Sequence, residues 1–238
     1  MAGGACSADA GTKKSGITDD AEVAAVDATM QAARGALAGG DVAAFMDVWT
    51  EDGLQDVFHE FGDAFVANTG YYLGAKQYSL GEAATPTVVG DTATTVAALF
   101  FRLVGVVRQF SLIKIDGVWK IDGATLATVD VGDVTIIDVE FGESSIDLDS
   151  SAIVDGDIAL QVHNQTNAMH EFNILTAPPE QDLAAFFEHP EDGPPVPEGK
   201  SMPEGFDFVG GVSEIEPGAS VTILFARALP AARYVMFC

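Results

Sequence analysis

The chain changes its pattern of apolar and polar positions twice. From Thr18 the pattern is helical. The stretch "TDDAEVAAVDATMQAARGALAGG" has acids in its first turn and a glycine pair at its end, both expected helix punctuation. A second helix is expected over "DVAAFMDVWT" and a third, short one within "EDGLQDVFHEFGDAF". After Tyr71 the period becomes that of strands. "TPTVVGDTATTVAALFFRLVG" predicts a hairpin turning at Gly90-Asp91, and "VVRQFSLIKIDGVWKIDGATL" predicts another turning at Asp116-Gly117. Helices followed by antiparallel strands indicate an α+β layer arrangement. From Val129 the pattern is all-β, with short alternating strands in "VTIIDVEFG", "DIALQVHNQT" and "HEFNILT". Seven of the ten prolines fall between Pro178 and Pro203, which predicts a loop holding at most one helical turn, at "DLAAFFEH". Strands resume in "FVGGVSEIEPGASVTILFARALPAARYVMFC", and several short strands with turns between them suggest a β-sandwich.

Composition narrows the function classes. Acids outnumber bases 36 to 11, giving a net charge of −25. Phosphates would be repelled, so a nucleic-acid partner is excluded, and anionic membrane surfaces are disfavoured. A high-salt habitat that screens the self-repulsion explains the acids better than a specific cation store. The 48% apolar content supplies a packed core. No apolar run approaches the ~20 residues that span a bilayer, so no transmembrane segment is expected. The two cysteines, Cys6 and Cys238, stand at opposite ends and form no disulfide framework.

The pieces "ALAGGDVAAFMDVWTEDG", "VVGDTATTVAAL" and "LIKIDGVWKIDG" resemble the SnoaL-like cone fold of the nuclear transport factor 2 superfamily, over residues 18–128. The resemblance implies an α+β cone whose mouth, between helix and sheet, takes a small apolar ligand. Some members place an acid or histidine there as a general base for isomerase or cyclase chemistry. The corresponding candidates are Asp47, His59, Asp63, Tyr71 and Tyr72, and spacing alone does not choose among them.

Residues 129–238 resemble the cupredoxins, the blue-copper proteins with a Greek-key sandwich. The matching segments are "VHNQTNAMHEFNI", "IEPGASVTILF" and "LPAARYVMFC", in that order. The resemblance implies a type 1 copper site and single-electron transfer, with His170 and Cys238 as equatorial ligands. Such a site needs two imidazoles and a thiolate near one plane, with a weak axial thioether. In the family the second histidine and the methionine follow the cysteine. Nothing follows Cys238 in this sequence, so the expectation is a chain cut at its own copper site. His163, His189, Met169 and Met202 do not carry the family's pattern.

The start, "MAGGACSADAGTKKSG", resembles the end of a bacterial lipoprotein signal with Cys6 as the lipid attachment point. Gly3-Gly4-Ala5 lacks the usual large aliphatic residue, and five residues cannot hold the charged and apolar regions of a signal. A start lying further upstream and a disordered tail over residues 1–17 both remain open. The copper reading implies an exported, periplasmic or cell-surface protein, an electron carrier or binding protein rather than an enzyme. Its redox partner would present a basic face to so acidic a chain. Two other functions compete with it. One is small-molecule binding or catalysis in the cone, with the sandwich as a metal-free accessory, and the other is a surface adhesion or assembly role.

Overall fold

The computed structural model describes residues 20–58, 77–130, 132–143, 145–149, 158–181, 183 and 203–238. It is mostly β. Among the described residues, helices α1 (Asp20–Gly39), α2 (Val42–Asp47) and α3 (Glu51–Phe58) precede twelve strands. Helix α1 buries Val26, Met30, Ala33 and Leu37, one stripe at helical spacing. The expected second helix is shorter than its sequence suggests. Asp41 caps its start, its side chain accepting from the Ala44 N–H at 3.0 Å. The chain then leaves the helix at Val48, because Trp49 bridges to Ile121 and the Ile121 N–H donates to the Val48 carbonyl. Helix α3 opens on Thr50, whose hydroxyl accepts from the Gly53 N–H at 3.0 Å and donates to Asp122 at 2.7 Å. The rest of the expected third helix, past Phe58, lies outside the described residues.

The first strands are β1 (Tyr78–Leu80), β2 (Thr87–Val89), β3 (Thr92–Phe101), β4 (Val104–Ile115) and β5 (Val118–Leu126). Val89 pairs with Thr92 across Gly90-Asp91, and Ile115 pairs with Val118 across Asp116-Gly117. Asp116 and Gly117 both have positive φ, 50° and 83°, the backbone that a two-residue turn needs to match strand twist. The second group comprises β6 (Thr135–Phe141), β7 (Ile146–Leu148), β8 (Ile158–Asn164), β9 (His170–Ala177), β10 (Asp207–Ile215), β11 (Ser220–Phe225) and β12 (Arg233–Phe237).

Among the described residues nine strands form one mixed sheet in the order β1-β3-β4-β11-β8-β6-β7, with β2 also on β3 and β5 also on β4; β6 and β8 run parallel. A second, antiparallel sheet has the order β10-β9-β12. Strand β4 joins the two groups. Its residues 108–115 pair with β5, and Val104–Val106 pair with β11 along the same edge. Two cores lie on the face of β4 that carries residues 104, 106, 110 and 112. The α-helices cover Phe110 and Leu112, and the second sheet covers Val104 and Val106 together with Phe172, Ile174 and Val212. At the junction Gly210 has φ 145°, and a Cβ there would lie 2.5 Å from the Phe101 carbonyl oxygen. Only glycine allows β10 so close to the β3–β4 turn. No helix among the described residues is long and apolar enough to cross a membrane.

Helix α1 is tied to the sheet by Glu22, which accepts from Lys114 Nζ at 2.6 Å and Trp119 Nε1 at 2.9 Å. The Lys114 hydrogen bond, then that of Trp119, holds the Glu22 carboxyl below its ordinary 4.5. A carboxylate held low contributes stability above its unfolded value and loses it as pH falls. Glu22→Gln should therefore lower the melting temperature at neutral pH, and the gap to the native chain should close as pH falls below 4.5; melting curves across that range measure it. Gly53 gives a second test, because a Cβ there would lie 2.7 Å from the Ile121 carbonyl oxygen. Gly53→Ala raises helix propensity yet should cost about 1–3 kcal/mol in denaturant melts, since α3 must move off β5.

Candidate metal centre

The site is set by one buried amide. Asn164 ends β8 with 1% of its surface exposed. Its Nδ2 donates to the Ile215 carbonyl at 2.7 Å and the Ala168 carbonyl at 2.8 Å. Two carbonyl partners fix the amide's orientation, so Oδ1 is the acceptor that faces Thr166. Oδ1 takes the Thr166 backbone N–H at 3.0 Å and the Thr166 hydroxyl at 2.8 Å. This folds residues 165–169 back on themselves and starts β9 at His170.

The same hydroxyl determines the state of His170. It lies 2.8 Å from His170 Nε2. Threonine has one hydroxyl proton, and its short acceptor is Asn164 Oδ1. Toward the ring it therefore accepts, and Nε2 carries the imidazole proton. Nδ1 keeps its lone pair and lies 3.3 Å from Cys238 Sγ. The ring is held flat by Phe141 at the end of β6, with centroids 4.6 Å apart and planes 8° apart.

Cys238 reaches the ring because β12 lies antiparallel to β9, with Phe237 opposite Asn173 and Arg233 opposite Ala177. Tyr234 anchors the entry to β12, its hydroxyl donating to the Pro230 carbonyl at 2.7 Å. Burial pushes the Tyr234 phenol up, against a smaller opposite pull from Arg227, so it stays a donor. The Glu171 N–H donates to Sγ at 3.4 Å, and Cys238 is exposed at the mouth of a cleft of about 420 Å³. Met236, Phe141 and Glu143 also line that cleft.

The other residues singled out by sequence lie elsewhere. His163 is on β8, its Nδ1 2.8 Å from Ser220 Oγ and its Nε2 3.5 Å from Asp138. It faces away from the core that its neighbour Val162 enters. Met169 is exposed. Asp47, a candidate base of an apolar pocket, is 84% exposed at the end of α2, where Lys120 Nζ lies 3.4 Å from its carboxylate. It borders an open cleft with Trp49, Asp116 and Lys120. His59, Asp63, Tyr71, Tyr72, His189, Met202 and Cys6 lie outside the described residues. Among the described residues no group of three His, Cys, Asp or Glu is placed to hold a metal ion. Thr166 and Phe141 were missed by sequence reasoning; the "NxT" four residues before the candidate histidine His170 is a signal that could have found the former.

Removing the amide tests this scaffold. Asn164→Ala leaves the Ile215 carbonyl and the Thr166 hydroxyl short of a buried partner. It should cost about 2 kcal/mol or more in chemical denaturation. The imidazole ¹⁵N shifts of His170 should also lose the signature of a single Nε2–H tautomer.

No family model and no curated protein matches the chain, so what this pair can do is read from its own geometry.

Proposed function

We propose that residues 129–238 form a cupredoxin-like, Greek-key domain that binds copper for single-electron transfer. His170 and Cys238 would be two of its ligands. The observation that carries this reading is the 3.3 Å separation of His170 Nδ1 and Cys238 Sγ, two donors 68 residues apart in sequence. Metal bonds of roughly 2.0 Å to nitrogen and 2.3 Å to sulfur, at angles of about 90–120°, put two donors about 3.0–3.7 Å apart, so the pair fits a shared ion. The donor set, soft thiolate with imidazole, suits copper. Two donors do not complete a site, and among the described residues no third His, Cys, Asp or Glu joins them.

When bound, copper would supply one-electron redox chemistry. The chain's own residues prepare the place for it. Thr166 keeps the proton on Nε2, so Nδ1 offers its lone pair without first losing a proton. The Glu171 N–H donates to the sulfur and favours the thiolate as a ligand. Phe141 stops the ring from rotating, and β9 and β12 fix the two donors on paired strands. Residues 18–128 would be a SnoaL-like cone that binds a small ligand. Export to an oxidising compartment and a redox partner with a basic face complete the proposal.

Copper(II) titrated anaerobically into the chain with excess imidazole, which stands in for a second histidine, should give an intense visible thiolate-to-copper band. Cys238→Ser should abolish the band, His170→Ala should remove it or shift it strongly, and Thr166→Val should weaken copper affinity about 10–100-fold. Copper binding that is indifferent to both His170 and Cys238 would overturn the reading.

A further inference from the structure

The pairing of Cys238 with His170 has a second chemical capability, one that needs no metal. Sγ faces Nδ1 at 3.3 Å, and Nε2 on the far side of the ring lies 2.8 Å from the Thr166 hydroxyl. That hydroxyl in turn donates to Asn164 Oδ1 at 2.8 Å. A thiol, a ring nitrogen with its lone pair turned to the sulfur, and a third group that orients the ring together make a nucleophile and its base. Phe141 stacks on the imidazole with centroids 4.6 Å apart, so the lone pair stays aimed at Sγ.

The surroundings choose the reaction. The Glu171 N–H donates to the sulfur itself, at 3.4 Å. It therefore steadies negative charge on sulfur, as disulfide exchange needs, rather than on an oxygen one bond further out, as acyl transfer needs. Cys238 is exposed at the mouth of a cleft of about 420 Å³, within the range of small-ligand sites. Phe141, Ile146 and Met236 give the cleft an apolar flank for aliphatic arms. Glu143 is the one carboxylate among the described residues that line it, which disfavours anionic arms. Cys238 is also the one cysteine among the described residues, so a mixed disulfide formed on it meets no second described thiol that would resolve it.

We propose that Cys238 is a site of reversible thiolation by small organic disulfides, with His170 as the base. Sγ attacks one sulfur of the disulfide, and the bond to Cys238 forms as the old S–S bond breaks. The thiol proton passes to His170 Nδ1 and from there to the departing sulfur, which leaves as a free thiol. One thiol and one disulfide are consumed and one of each is made, so no further oxidant is required. The site stands on the geometry of the pair and not on the copper reading. The two uses compete, because a sulfur held in a mixed disulfide cannot ligate as a thiolate.

The probe is bis(2-hydroxyethyl) disulfide, which carries no charge, added to the full chain with a chelator that keeps metal out. Mass spectrometry of the peptide holding Cys238 follows the mixed disulfide. The same chain unfolded in urea gives the intrinsic rate of that thiol. The folded chain should react about tenfold faster or more, and dithiothreitol should reverse the product. His170→Ala should bring the folded rate down to about the unfolded one. Thr166→Val should lower the rate, and Thr166→Ser, which keeps the hydroxyl, should restore it. A folded rate no greater than the unfolded one would overturn the proposal, as would an undiminished rate in a folded H170A chain. The comparison within the native chain decides the matter even where the variants do not fold. No metal takes part, so failure here is distinct from failure of the copper titration.

Discussion

Strand β4 is the constraint on which the rest of the molecule depends. One edge of it serves two partners in succession, β5 along residues 108–115 and β11 along residues 104–106. Backbone hydrogen bonding therefore runs unbroken from the helix-covered strands to the sandwich strands. The handover is sealed by the Ala127 N–H donating to Val107 and the Thr222 N–H donating to Ala127. The two cores share one floor, and displacement of β4 would open both. The close approach at Gly210 belongs to the same junction, because β10 must come down onto the β3–β4 turn for the second sheet to cover Val104 and Val106.

The thiol–imidazole pair depends on a smaller version of the same logic. A buried amide whose orientation is fixed by two carbonyls passes that information through one hydroxyl to one ring nitrogen. Each step follows from counting donors and acceptors, and the last step sets which nitrogen of His170 faces Cys238. A group built this way holds its geometry from within the chain, and in the proposed metal site that would reduce the reorganisation binding requires. The acidic surface is a separate matter. It governs which molecules approach.

The sequence by itself determined the local elements. Asp116-Gly117 had to turn, because a two-residue hairpin needs positive φ at both positions and this pair tolerates it. The stripe in α1 and the caps Asp41 and Thr50 are set by side chains within a few residues of each other, which is why the helices were legible. The second helix was read too long because nothing local announces that Trp49 will leave it for Ile121. His170 and Cys238 were legible as donor types in a family-like order.

Only the tertiary structure decided which strands are neighbours. An alternating pattern assigns a strand its two faces but says nothing of its edges, so the β4–β11 pairing and the parallel β6–β8 pairing were invisible in the chain. The family resemblance already preferred His170 to His163, and the fold supplies their surroundings. Both histidines have the right chemistry. The strand pairing turns one to Ser220 and Asp138 and brings the other to within 3.3 Å of a thiol at the far end of the sequence. Local chemistry is written in neighbouring residues. Encounters across the fold are set by long-range hydrogen bonding and packing, which no window of sequence contains.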